Sequence, residues 1–402
     1  MRMGKRLANN MLTKCVCGVA LGARLLLPNV GAQEPAAGPP GLTVVEPLEL
    51  ARRFAASIRN DENDRGRSLA RVAAAWLERG DPDRAGALLG EEERGHWAVV
   101  AAMADIAAEW ALRGETEKAR AWLSDARRRS DDLRGAGRDR ALLRLARALS
   151  ALGEHDVVAA TFGRFAETRD YRAEVMALQA LAWARAGRTD DALALLDKAG
   201  GDSYYDSRVW RARGYAQLAR QFAKDADRFS PALQRAWTAA AEVPDHQRFA
   251  LRLEIAEAWA GLGHVEEARA RLAEWMTELP PDDDAPHIFA PILARGAAAL
   301  GRLGDREAAV RLLDRVERRV PGLLQIEQPG VLALAGEAWL ATGERPAALE
   351  RYARAIAVAE SLVNPRPRAL AGLDIALSLD RAGVKDAAVL ESLQRLAETF
   401  ER

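Results

Sequence analysis

The stretch "AWLERGDPDRAGALL", Ala75 to Leu89, sets a Trp, a Gly and an Ala at intervals that recur along the whole chain. Gly80 can take the left-handed conformation that closes a helix, with no Cβ to oppose it. Asp81 is a favoured N-cap, and Pro82 sits where a first-turn proline is tolerated. The stretch therefore reads as the end of one helix, a tight turn and the start of a second.

Gly114, Gly153, Gly187, Gly263, Gly304, Gly343 and Gly383 repeat the role of Gly80, at spacings of 34, 39, 34, 76, 41, 39 and 40 residues. The 76 is two units of 38, so one unit near 203–243 has lost its glycine. Four residues before each glycine stands a large side chain: Trp76, Trp110, Leu149, Trp183, Trp259, Leu300, Trp339 and Leu379. Seven before stands a small one: Ala73, Ala107, Ala146, Ala180, Ala256, Ala297, Gly336 and Ala376. Five after stand Ala85, Ala119, Val158, Ala192, Ala268, Ala309, Ala348 and Ala388. Small residues on both helices let the backbones of a hairpin approach closely. The large residue then fills the space between one hairpin and the next. Each hairpin buries only one face, so neighbours must supply the rest of the core.

These residues resemble the tetratricopeptide repeat, a 34-residue helix-turn-helix with a small residue in helix A, a large one three positions later, a turn glycine and an early alanine in helix B. The resemblance covers about residues 64–400. It implies an all-α protein, a right-handed α-solenoid of TPR-like hairpins, with a concave face lined by helix A as the usual binding surface. Several units exceed 34 residues, and a regular proline between units is lacking. The fifth unit, 203–243, is degenerate, and Ser230-Pro231 is where its second helix is expected to start. It separates units 1–4 (47–202, with a capping helix at 47–59) from units 6–9 (244–402). Leu48, Ala51, Phe54, Ala55 and Ile58 form the apolar stripe of that capping helix. Leu390, Leu393, Leu396 and Phe400, in the last helix, have no following helix to cover them. Two outcomes are open: they expose an apolar end for self-association or a partner, or all four point inward.

Composition agrees with the all-α reading. Ala, Leu, Arg and Glu dominate, aromatic residues make up 6%, and no sustained period-two run rich in Val, Ile or Thr occurs. Residues 1–32 carry Arg2, Lys5, Arg6, Lys14 and Arg24 and no acid, then the apolar run "CVCGVALGARLLL" and the small residues Val30-Gly31-Ala32. That order is a secretory signal, with cleavage expected after Ala32. The expectation that follows is an exported protein, in the periplasm if the source is bacterial, with no membrane anchor once the signal is removed. Both cysteines, Cys15 and Cys17, lie in this leader. The mature chain would then hold no disulfide, thiolate metal site or cysteine nucleophile. Removing the leader leaves 53 basic against 58 acidic residues, a poor balance for general nucleic-acid binding. Residues 33–46, rich in Pro and Gly, read as a flexible arm.

Chemistry is sparse. The five histidines form no HExxH or i,i+4 pair, and no phosphate-binding Gly-rich loop or dinucleotide fingerprint is present. Asp282, Asp283, Asp284 and His287 group in "PPDDDAPH", which reads better as an acidic, helix-capping loop than as a cation site. No catalytic, cofactor-binding or metal-binding residue is assigned, and no cofactor is expected. The resemblance implies protein or peptide binding. The asparagines that some family members use to clamp a peptide carboxylate are missing, since none occurs between Asn63 and Asn364. Arg140, Arg144 and Arg147, at i, i+4 and i+7, share a side of one helix A and are the candidate partner-binding residues for an acidic peptide or sugar acid. The competing reading is a solvated face paired with acids of a neighbouring unit. The function expected is a non-enzymatic protein–protein interaction scaffold or adaptor. The alternatives are an envelope subunit assembling through the array ends and, less favoured, an all-α enzyme acting on envelope polysaccharide. Replacing Trp259 by Ala is expected to cost about 3–5 kcal/mol as the loss of an inter-repeat wedge; a melting curve identical to that of the parent chain would contradict the assignment.

Overall fold

The structure is a computed structural model that describes residues 45–401 apart from 60, 91–95, 155–157, 159–171, 200–204, 222–225, 244 and 282–283. The leader 1–32 with its cleavage point and cysteines, most of the 33–46 arm, and Asp282 and Asp283 lie outside the described residues. Helix α1 is Pro47–Ser57. The A helices are α2 (Glu62–Glu78), α4 (Trp97–Leu112), α6 (Gly135–Ala151), α7 (Arg172–Arg185), α9 (Tyr205–Gln221), α11 (Asp245–Gly261), α13 (Pro286–Arg302), α15 (Gln328–Ala341) and α17 (Pro365–Ala382). The B helices are α3 (Pro82–Gly90), α5 (Thr116–Ser130), α8 (Thr189–Ala199), α10 (Ala226–Ala241), α12 (Val265–Thr277), α14 (Arg306–Arg319), α16 (Arg345–Ser361) and α18 (Ala387–Glu398). The second helix of the third unit falls largely outside the described residues, where Val158 is buried.

The turn works as its residues dictate. All eight turn glycines have φ between 67° and 89°. The next N–H donates to the carbonyl of the large residue four positions before the glycine: Asp81 to Trp76 at 2.9 Å, His264 to Trp259 at 3.0 Å, Val384 to Leu379 at 2.9 Å. The glycine N–H bonds one turn back, as in Gly80 to Leu77 at 2.9 Å. This pair of bonds satisfies carbonyls that the helix end leaves open. Trp259 is buried and meets Trp237 of the preceding B helix edge to face, with centroids 6.1 Å apart, which is the wedge role. The fifth unit is also a hairpin, α9 against α10, and the packing continues onto α11. Pro231 lies inside α10 rather than at its start. Its missing N–H falls in the second turn of the helix.

The hairpins form an all-α solenoid whose two ends meet. Neighbouring A helices touch all the way round, including α17 against α2. They form the inner layer, and the B helices fan out behind them. Helix α1 does more than cap the first unit. It packs on α17 as a B helix packs on its own A helix, and on α2 as a B helix packs on the next. The last hairpin is thus completed by the first helix of the chain. Its stripe Leu48, Ala51, Phe54, Ala55 and Ile58 is buried as expected. Phe54 lies against Gly372 of α17, where an added Cβ would stand 2.5 Å from the ring.

Helix α18 is displaced by this arrangement. The residue five after the turn glycine is fully buried in most units, yet Ala388 is exposed. Instead α18 covers the seam from outside, touching α16 and α1. Leu390, Leu393 and Leu396 are buried, and Phe400 meets Phe54 edge to face at 6.1 Å. The inward alternative is therefore the observed one. The apolar face expected as a surface for self-association or for assembly through the array ends is thus covered within the chain, and α1 occupies the place that an open end would leave bare.

Polar contacts lock the same seam. Arg71 of α2 reaches Asp374 of α17 at 2.6 Å, and Arg79 reaches the buried Asp380. Arg366 bonds Asp64 at 2.6 Å and Asp61 at 3.0 Å. Replacing Gly372 by Leu should cost about 1–3 kcal/mol by overpacking against Phe54. The penalty should shrink in a Phe54→Ala background. Equal penalties in the two backgrounds, measured by urea unfolding, would place Phe54 elsewhere. Arg79→Ala strands the Asp380 carboxylate and should cost about 3–5 kcal/mol, read in the same way.

Candidate functional site

Each A helix is covered by two neighbours and by the outer layer, so one stripe is left to face the enclosed space. The burial pattern shows it. Between Val99 and Trp110 of α4 only Asp105 and Glu109 are not buried. Between Leu251 and Ala260 of α11 only Glu254 and Glu257 escape burial, and between Leu293 and Leu300 of α13 only Arg295. These are positions nine, six and five before the turn glycine, and with the half-buried residue two before it, such as Arg302, they lie on one helical face.

Position nine carries Arg71, Asp105, Arg144, Leu178, Arg213, Glu254, Arg295, Leu334 and Asp374 in chain order. (Arg213, in the unit without a glycine, is placed there by its burial pattern and by its partner.) Opposite signs stand on adjacent helices and pair across them. Arg71 pairs with Asp374 at 2.6 Å, Arg144 with Asp105 at 3.9 Å, and Arg213 with Glu254 at 3.5 Å. One turn further on, Glu257 takes both Arg295 and Arg302 at 3.2 Å. Glu337 takes Arg381 at 3.1 Å and Arg302 at 3.9 Å. An ionic belt thus runs from α9 through α11, α13, α15 and α17 to α2.

Among the described residues the belt is unbalanced over α6 and α7. Arg144 and Arg147 share one carboxylate, Asp105, with Arg147 at 3.5 Å. One Asp105 oxygen is buried with no hydrogen bond. Arg185, at the C-terminal end of α7, is exposed and has no carboxylate partner among the described residues. The titration behaviour divides the same way. Burial lowers the Arg147 pKa; Asp105 opposes this, while Arg144, Arg185 and Arg220 add to it. Burial also lowers Arg220, against the pull of Glu254 and Glu257. On the other side, burial pulls Arg295 and Arg381 down, but Glu257 with Glu254, and Glu337, outweigh it and raise both.

Of the residues predicted from sequence, Arg144 and Arg147 are brought together on the inner wall. Arg140 lies one turn earlier, its guanidinium 5.1 Å from the centre of the Trp97 ring. Their pairing with Asp105 matches the neighbouring-unit acid of the competing reading, but two cations on one acid leave an excess. Sequence reasoning missed Arg185, Arg220 and the belt. The signal was the register nine residues before the glycine, which carries charge in most units. Among the described residues no group of three or more His, Cys, Asp or Glu is placed to hold a metal ion, and no helix is long and apolar enough to cross a membrane.

No family model matches the chain, and no curated protein matches it. Several solved structures are similar to it at low TM-scores. The chain is similar to a tetratricopeptide repeat protein from Parabacteroides merdae at 14% identity, covering 68% of this chain and 98% of that one, with a TM-score of 0.25. It is similar to Ton1535 from Thermococcus onnurineus at 14% identity, covering 81% and 94%, with a TM-score of 0.24. The human IFIT1 dimer with m7Gppp-AAAA shares 17% identity over 87% and 76%, with a TM-score of 0.31. The hairpin assignment rests on this chain's own turns and burial.

The two arcs of the wall should respond oppositely to neutralisation. Glu257→Ala leaves Arg295 and Arg302 without their shared acid and should cost about 2 kcal/mol, toward the lower end for a partly solvated pair. Arg185→Gln removes one of several crowded cations and should leave the melting temperature equal or higher. A clear loss of stability on Arg185→Gln would mean that the arc is balanced.

Proposed function

We propose that the chain is an exported, non-enzymatic repeat scaffold that holds a protein or peptide partner in the space enclosed by its inner helices, with Arg140, Arg144 and Arg147 among the contact residues. The observation that carries this reading is the inner wall itself. It is the one face of the A helices left open, and it is lined with ion-pairing side chains set among alanines. Such a wall suits reversible recognition of an extended, charged segment. Each inner carboxylate (Asp105, Glu254, Glu257, Glu337, Asp374) is ion-paired with a guanidinium. That favours a scaffold over acid–base hydrolysis. Export rests on the basic, then apolar, then small-residue order of residues 1–32.

A photo-crosslinking residue placed at Leu334 or Leu178, on the inner stripe, should trap a partner in cells, whereas the same residue at Arg354 on the outer helix α16 should not. Recovered protein should begin at Gln33. Capture from the outer position alone would overturn the reading of the inner wall. A retained Met1 on the functional protein would overturn export.

A further inference from the structure

We infer that the wall formed by α6, α7 and α9 is an oxyanion site, in which Arg144, Arg147, Arg185 and Arg220 together receive a carboxylate or phosphate group of a ligand entering the ring. The inference rests on the scaffold reading above and names the chemistry that its inner wall would recognise.

Three observations converge. First, the four arginines occupy inner-stripe positions of consecutive A helices: nine and six before the turn on α6, two before it on α7, and on α9 seven after Arg213, the same register as Arg302 after Arg295. They therefore project into one part of the enclosed space from three directions. Second, charge is not balanced there. Arg144 and Arg147 lean on the single carboxylate of Asp105, at 3.9 and 3.5 Å, while Arg185 has no carboxylate partner among the described residues. Third, Arg147 feels the other three. Arg144, Arg185 and Arg220 each oppose the positive charge on Arg147, although water still reaches 23% of its side chain. A guanidinium presents a planar fork of N–H donors that matches the two oxygens of a carboxylate or phosphate. An anion would relieve the repulsion that Arg147 feels and would give Arg185 an acceptor that no described carboxylate supplies. The opposite wall shows the contrast: Arg295, Arg302 and Arg381 are tied down by Glu257 and Glu337 and offer no such excess.

Calorimetric titration of the full chain at low ionic strength tests this with two probes, inorganic tripolyphosphate and a tetraglutamate peptide, which separate a phosphate ligand from a carboxylate one. Saturable binding of either probe is expected, with a higher melting temperature in its presence. Affinity should fall steeply with added salt. Arg185→Gln, which disturbs no ion pair with the described residues, should weaken binding about tenfold. Arg147→Gln should do the same, and Arg354→Gln on the outer layer should bind like the parent. Absence of binding by both probes, or equal affinity of the parent and Arg185→Gln, would overturn the site. If Arg185→Gln still yields the partner crosslinked from Leu334, the scaffold reading stands and the oxyanion site falls; loss of capture from the parent chain itself would remove the scaffold reading instead.

Discussion

The rest of the architecture depends on one packing contact, Phe54 of α1 seated over Gly372 of α17. An open array of hairpins needs only neighbour contacts, and its stability is close to a sum of nearest-neighbour terms. Here the first helix of the described chain completes the last hairpin. Residues about three hundred positions apart, such as Arg71 and Asp374, are joined. Loop-closure entropy grows only logarithmically with length, so closing so long a segment costs little more than closing a short one. What the seam needs is complementary shape. The glycine removes the Cβ that would meet the ring, and the buried stripe of α1 supplies the apolar surface.

Closure has two consequences for function. It covers the ends, which removes the apolar surfaces that an open array would present there. It also turns a concave face into an enclosed wall with a definite charge order. Alternating Arg and acid residues stitch each inner helix to the next over most of the circuit, at partly solvated positions where such pairs keep their partners without full desolvation. Over α6 and α7 that order fails, among the described residues, in favour of arginine. A scaffold that needed only stiffness would gain nothing from crowding cations there.

Much of this was legible in the residues. The turn glycines, the buried small positions and the Trp or Leu wedges follow from backbone conformation and helical spacing, which are local. The stripe of α1 was legible too, but its partner was not. Whether nine hairpins stay open or meet depends on a few degrees of curvature at each interface, summed over the array, and no single residue encodes that sum. Ala388, small like its counterparts, gave no sign that it would be exposed, because its role was taken by a helix from the other end of the chain. Arg144 and Arg147 were found by their spacing on one helix. Arg185 and Arg220 were missed because they come from different helices and are brought near Arg147 only in the curved assembly. The fifth unit kept its hairpin without the glycine, since burial of Tyr215, Leu218 and Trp237 sustains the packing.

The central claim is that the two ends of the array meet within one chain. The most direct measurement is chemical crosslinking between Asp64→Cys in α2 and Arg366→Cys in α17, in a chain with Cys15 and Cys17 replaced by Ser, using a short bismaleimide at high dilution. Closure predicts near-complete intramolecular crosslinking, seen as a monomer of altered mobility in a denaturing gel. An uncrosslinked monomer, or crosslinked dimers alone, would contradict it.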